Sequence, residues 1–173
     1  PGPGDILLYL DPGQAFGTGD HPTTRGCLEL MEDLEFRAKT VADIGSGSGI
    51  LSMAAHLLGA ESVTGVDVEG PAITAARENA ERLGYPIEFH QGLGFAPLGK
   101  EAVFDIVLSN IISAALIQLA PDAACRVKPG GAWITSGVIE SNWPDVKAAA
   151  EAEGFRLERL IAEDGWISAL FHR

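Results

Sequence analysis

A chain of 173 residues has the size of one domain and can close one sizeable hydrophobic core. Its 46% hydrophobic and 21% charged residues exclude disordered, collagen-like and repeat architectures. Twenty-four acidic against twelve basic residues give a net charge of -12, which disfavours nucleic acid and anionic lipid as direct partners and permits a basic protein.

The chain opens Pro1-Gly2-Pro3-Gly4 without an initiator Met and reads as a processed or excised piece, with 1–173 as a single domain. Residues 5–10 suit a short strand. The segment Phe16-Gly17-Thr18-Gly19-Asp20-His21-Pro22-Thr23-Thr24 follows and leads into a helical pattern over 22–34. Gly17 and Gly19 permit a tight loop, Phe16 offers an apolar cover, and Thr18 with His21 supply polar contacts. Asp20, Thr23 and Thr24 serve equally well as helix caps, and His21 as a satisfied loop histidine.

From residue 40 onward short β-rich runs at 40–43, 62–67, 87–90, 104–109 and 132–137 alternate with helical patterns at 50–58, 71–83, 112–126 and 144–153. That alternation predicts a parallel, doubly wound α/β sheet. Pro71 and Pro144 fit only a first helical turn, and Gly84 and Gly154 read as helix stops. Val127-Lys128-Pro129-Gly130-Gly131 reads as a turn before the 132–137 strand. Runs at 155–162 and 166–171 flank Asp164-Gly165, a hairpin dipeptide, so one edge is expected to be antiparallel. No apolar run approaches the roughly 18 residues of a membrane span and no signal-peptide pattern opens the chain, which predicts a cytoplasmic protein. Cys27 and Cys125 show no CxxC or Cys/His cluster, so both thiols are expected to pack as small hydrophobes. His21, His56, His90 and His172 have no ligand-like spacing, so no metal is expected.

Three places carry chemistry. Asp43-Ile44-Gly45-Ser46-Gly47-Ser48-Gly49 lies between a predicted strand and a predicted helix, where open α/β sheets bind ligands. A dinucleotide fingerprint needs its third small residue at position 50, where Ile50 stands, so NAD is disfavoured. Asp67 ends the second predicted strand, 18 positions after Gly49, where a carboxylate can accept from ribose hydroxyls; it could instead cap the following helix. Asn110 follows the apolar run 104–109 at the same sheet edge, as an acceptor for an amine or as a helix N-cap.

The Asp-x-Gly-x-Gly-x-Gly spacing of 43–49 resembles the first motif of the Rossmann-like methyltransferases. The Phe16–Thr24 segment is similar to the FGTGxHxTT segment of the ribosomal protein L11 methyltransferase (PrmA) family, and Asn110-Ile111-Ile112-Ser113-Ala114-Ala115-Leu116 to its Asn-Ile-Leu-Ala-x-x-Leu run. The resemblance implies a mostly parallel Rossmann-like methyltransferase sheet with an antiparallel C-terminal hairpin. It implies S-adenosylmethionine as cofactor, leaving S-adenosylhomocysteine. Phe16, Gly17, Thr18, His21, Asp43, Gly45, Gly47, Gly49, Asp67 and Asn110 would line its pocket. In that reading Asp43 offsets positive charge, N–H groups at the helix start receive the ligand carboxylate, and Asn110 positions an acceptor amine. The implied acceptor is a lysyl or α-amino nitrogen of a basic protein, ribosomal protein L11.

Asn110 lacks the Pro-Pro-aromatic run of adenine- and glutamine-directed relatives, which favours an amine. Two features depart from the family: its N-terminal substrate-recognition domain is not in this sequence, and His90-Gln91-Gly92-Leu93 stands where many relatives place an acid near adenine. A methyltransferase for another protein or a small molecule, an NAD-type oxidoreductase and a non-catalytic cofactor-binding module remain the competing readings. Nothing in the pattern sets an oligomeric state.

Overall fold

The computed structural model describes residues 2–8 and 19–173. In chain order the elements are α1 (Pro22–Met31), β1 (Thr40–Ile44), α2 (Ile50–Leu57), β2 (Ser62–Asp67), α3 (Gly70–Leu83), β3 (Glu88–Gln91), β4 (Phe104–Asn110), α4 (Ser113–Arg126), β5 (Val127–Ile139), α5 (Trp143–Ala152), β6 (Arg156–Glu163) and β7 (Trp166–His172). Seven strands form one sheet in the order β3-β2-β1-β4-β5-β7-β6. The first five are mutually parallel, and β7 runs antiparallel to both of its neighbours.

The central strands are largely apolar because both sheet faces are covered, and successive residues serve opposite layers. Ala42, Val107, Trp133 and Phe171 pack with Leu116, Leu119 and Ala123 of α4 and Val146 of α5. Val41, Ile106, Ile134 and Leu170, one residue away, pack with Cys27, Leu30 and Met31 of α1 and Leu51 and Ala55 of α2. α1 lies so close to the sheet that a β-carbon at Gly26 would collide with the Ser168 side chain.

The doubly wound sheet and its antiparallel hairpin match expectation, and Asp164 (φ 51°) and Gly165 (φ 80°) supply the two left-handed residues of the turn. Four expectations are corrected. Residues 5–8 form no strand, as no neighbouring strand pairs with them, and residues 9 and 10 lie outside the described residues. The helix expected over 22–34 stops at Met31, where Glu32 and Asp33 meet the negative end of the helix dipole. The turn expected at 127–131 lies inside β5: Val127 pairs with Phe104 and Ala132 with Ile106, so the four residues 128–131 bulge out opposite Asp105. Arg173 closes that bulge, accepting from the Gly130 N–H and donating to the Gly131 carbonyl, each at 3.0 Å. Cys27 is buried as expected but Cys125 is exposed, off the α4 stripe that meets the sheet. No helix among the described residues is long and apolar enough to cross a membrane.

Candidate functional site

The strand order reverses between β1 and β4, and the carboxyl edge of the sheet at such a reversal is where open α/β sheets bind ligands. Register aligns the edge: Asp43 pairs with Gly65 and Leu108, Asp67 with Gln91, and Asn110 with Ser136. The loop from β1 into α2 turns on three left-handed glycines, Gly45 (φ 86°), Gly47 (φ 53°) and Gly49 (φ 85°). Gly45 leaves room for the Ile111 side chain, and Gly49 packs on Phe89, Met53 and Ala76. The loop holds itself by its own amides. The N–H groups of Gly45 and Ser46 donate to the Val66 carbonyl, that of Gly49 to the Ser46 carbonyl, and that of Gly47 to Asp67 Oδ2 at 2.9 Å.

Asp43 is 1% exposed; its Oδ2 accepts from Ser52 Oγ at 2.7 Å, while Oδ1 has no partner. Burial pushes its carboxyl up to about 7, against the opposing Ser52 bond, and the charge of Asp67 pushes the same way as burial. A positive charge brought near it would favour the ionised form. Asp67 is half-buried and bonded at both oxygens, Oδ1 accepting from the Glu69 N–H at 2.9 Å. It does not cap α3, whose N-cap is Glu69.

Asn110 is not a helix cap either, because α4 begins after Ile112. Its Nδ2 donates to Thr23 Oγ1 at 3.4 Å, and its Oδ1 is buried without a partner. Thr23 in turn donates from Oγ1 to His21 Nδ1 at 2.8 Å, and its N–H reaches the same nitrogen at 3.2 Å, so His21 caps α1. The Trp166 ring stands edge-on to His21 with centroids 5.1 Å apart. The structure thus joins His21, Thr23 and Asn110 by hydrogen bonds, and separately ties Asp67 to the loop that follows Asp43. Phe16, Gly17 and Thr18 lie outside the described residues.

Three further side-chain oxygens are buried without partners among the described residues, Thr24 Oγ1, Ser46 Oγ and Thr135 Oγ1. Sequence reasoning treated Thr24 as a possible cap. The available signal was position: Thr23 and Thr24 share the buried side of α1 with Cys27, Leu30 and Met31, where a hydroxyl needs a partner. At the end of β3, Gln91 is exposed and donates to the Val68 carbonyl at 3.2 Å. Among the described residues no three His, Cys, Asp or Glu side chains form a metal set.

A parallel sheet in this order, closed by an antiparallel β7, with a Gly-rich loop after β1, an acid ending β2 and an Asn ending β4, has the Rossmann-like methyltransferase fold. The sequence model of the ribosomal protein L11 methyltransferase (PrmA) family matches residues 2–173, and the chain belongs to that family. It is 44% identical over 168 residues to the ribosomal protein L11 methyltransferase of Azotobacter vinelandii, covering 96% of this chain and 56% of that protein. It is 40% identical over 171 residues to that of Heliobacterium modesticaldum, covering 98% and 54%. The crystal structure of ribosomal protein L11 methylase from Lactobacillus delbrueckii subsp. bulgaricus superposes with a TM-score of 0.88 at 34% identity, covering 95% of this chain and 83% of that one. The chain spans about half the length of the curated relatives it matches.

Proposed function

We propose that residues 1–173 act as one S-adenosylmethionine-dependent N-methyltransferase domain in the cytoplasm. Its acceptor would be a lysyl or α-amino nitrogen of ribosomal protein L11, as the names of the relatives suggest. The observation that carries the reading is the pair of buried, unpartnered acceptor oxygens, Asp43 Oδ1 and Asn110 Oδ1, at the carboxyl edge on either side of the strand-order reversal. Buried polar atoms without partners are rare and point to a group that supplies the missing donors. An ammonium-bearing cofactor and an amine acceptor are such groups.

When bound, S-adenosylmethionine supplies a methyl group on a sulfonium and leaves as S-adenosylhomocysteine. Asp43 offsets the positive charge of that ligand, and Asp67, with a lone pair remaining on each oxygen, accepts from its ribose. Gly45 and Gly47 let the loop backbone approach it, Gly49 sets the start of α2, and His21, which caps α1 beside Trp166, would contribute to its pocket. Asn110 holds the acceptor through Oδ1. An amide neither gains nor loses a proton in this range, so Asn110 orients the amine rather than deprotonating it, and the proton passes to water. Only a neutral amine has a lone pair to offer, so the rate of transfer rises with pH toward the amine pKa. The net charge of -12 suits a basic acceptor.

Calorimetric titration of the chain with S-adenosylmethionine, with NAD as the control, followed by transfer of labelled methyl to ribosomal protein L11, tests this. Binding of the sulfonium ligand alone and label on the protein are expected. Binding without transfer would favour a non-catalytic module, and NAD binding an oxidoreductase.

A further inference from the structure

The segment that leads into α1 is held at both of its ends. Gly19, left-handed at φ 93°, lies against Ile50, whose Cδ1 is 3.3 Å from where a β-carbon would stand. Ile50 opens α2 directly after the Gly-rich loop. Two residues on from Gly19, His21 meets the Trp166 ring and bonds to Thr23, which in turn bonds to Asn110. Residues 19–21 therefore link the start of α2 to the side chain that ends β4.

Arg25, one turn into α1, reaches back to this segment. Its Nη1 donates to the Asp20 carbonyl, and its Nη2 donates to Glu163 Oε1 at 2.6 Å. Glu163 ends β6 and pairs across the hairpin with Trp166, whose ring meets His21. The contacts close a circuit through Asp20, Arg25, Glu163, Trp166 and His21. A planar guanidinium can serve a carbonyl and a carboxylate at once in fixed geometry, which a lysine ammonium on its flexible stem does not. Farther along, Glu29 of α1 and Asp33 just beyond it both bond to Arg159 of β6, each at 2.6 Å. Both arginines fasten α1 to β6, but Arg159 grips the far end of the helix and Arg25 the residue before its cap.

We infer that Arg25 is a positioning residue for methyl transfer: by tying the Asp20 carbonyl to Glu163 it holds His21 against Trp166 and, through Thr23, sets the Asn110 amide. The inference rests on the methyl-transfer reading above. An exposed ion pair adds little to global stability, because water and salt compete for both charges. Its effect is local, on a segment outside any helix or strand, where order is easily lost. A displacement of about 1 Å in a reacting geometry costs on the order of 100-fold in rate, so a loosening passed through two side chains is expected to cost about tenfold.

The test compares the wild-type chain with Arg25→Gln, Arg25→Lys and Arg159→Gln. Both arginines are exposed, so neither change opens a cavity. Three quantities are read: kcat with saturating labelled S-adenosylmethionine and ribosomal protein L11, the urea midpoint, and hydrogen exchange at the Thr23 and Thr24 amides. Those two amides bond to His21 Nδ1 and to the His21 carbonyl, so they report its placement. Arg25→Gln is expected to lower kcat about tenfold and to speed exchange at both amides at least about threefold. Arg25→Lys should fall between it and the wild type. Arg159 holds two carboxylates and Arg25 one, so Arg159→Gln should shift the urea midpoint at least as far while keeping kcat within about twofold. Unchanged kcat in Arg25→Gln, equal losses of kcat in Arg25→Gln and Arg159→Gln, or wild-type exchange at Thr23 and Thr24 in Arg25→Gln overturns the inference and leaves the methyltransferase reading intact. A wild-type chain that binds the cofactor and transfers nothing sinks both.

Discussion

Asp67→Ala separates a ligand contact from a structural tie. The carboxylate accepts from the Gly47 and Glu69 N–H groups, each at 2.9 Å, and so joins the end of β2 to the Gly-rich loop. If it also accepts from a ribose, removing it takes away a charge-assisted bond worth about 1.5–3 kcal/mol, or about 10- to 150-fold in Kd. The group is half-buried, which places the expected weakening near tenfold. The unliganded variant should lose about 1 kcal/mol of stability as the Gly47 amide turns to water. Calorimetry with S-adenosylhomocysteine, which cannot turn over, reads the first quantity, and urea unfolding without ligand reads the second. Asp67→Asn keeps an acceptor but loses the charge and should fall between. A stability loss with Kd unchanged within twofold would refute the ribose contact and leave Asp67 as a loop tie only.

Asp43 makes a prediction in pH. Burial raises its pKa from 3.8 to about 7, so between those values the folded chain holds a proton that the unfolded chain has released. Stability then falls as pH rises across that window, and Asp43→Asn should flatten the fall in the urea midpoint between pH 5 and pH 8; parallel profiles would count against the burial argument. A cationic ligand favours the ionised carboxylate, so S-adenosylmethionine affinity should rise through about pH 7 in the wild type and not in Asp43→Asn. Gly137→Ala should cost about 1 kcal/mol for its left-handed φ and push the Ile111 segment outward. Its kcat should fall at least about tenfold while cofactor Kd moves little, and an unchanged kcat would show that the contact is dispensable. Cys27 is buried, with its thiol pushed up to about 12 by desolvation, whereas Cys125 is exposed. A thiol reagent should therefore modify Cys125 in the native chain and Cys27 only after unfolding; native modification of Cys27 would contradict its placement.

Much of this protein is written in local sequence. The alternation of apolar strands with helical patterns, the left-handed demand of Asp164-Gly165 and the glycines of 43–49 act over a few residues, where backbone sterics and side-chain periodicity decide the outcome. Asp43 near the end of β1, and Asp67 and Asn110 that end β2 and β4, were legible for the same reason, since a polar residue closing an apolar strand must sit at the sheet edge. Their partners were not legible. That Asn110 donates to Thr23, 87 positions away, and that His21 caps α1 through Thr23, depend on α1 lying across β4, β5 and β7. The bulge at 128–131 required the register against Phe104 and Ile106, because the same Lys-Pro-Gly-Gly makes a good turn when the neighbouring strand is ignored. The exposure of Cys125 followed from which face of α4 meets the sheet. Near neighbours along the chain thus set the elements and the edge residues. Tertiary packing alone decided which polar atoms were left without partners, because only the assembled sheet determines what each side chain meets.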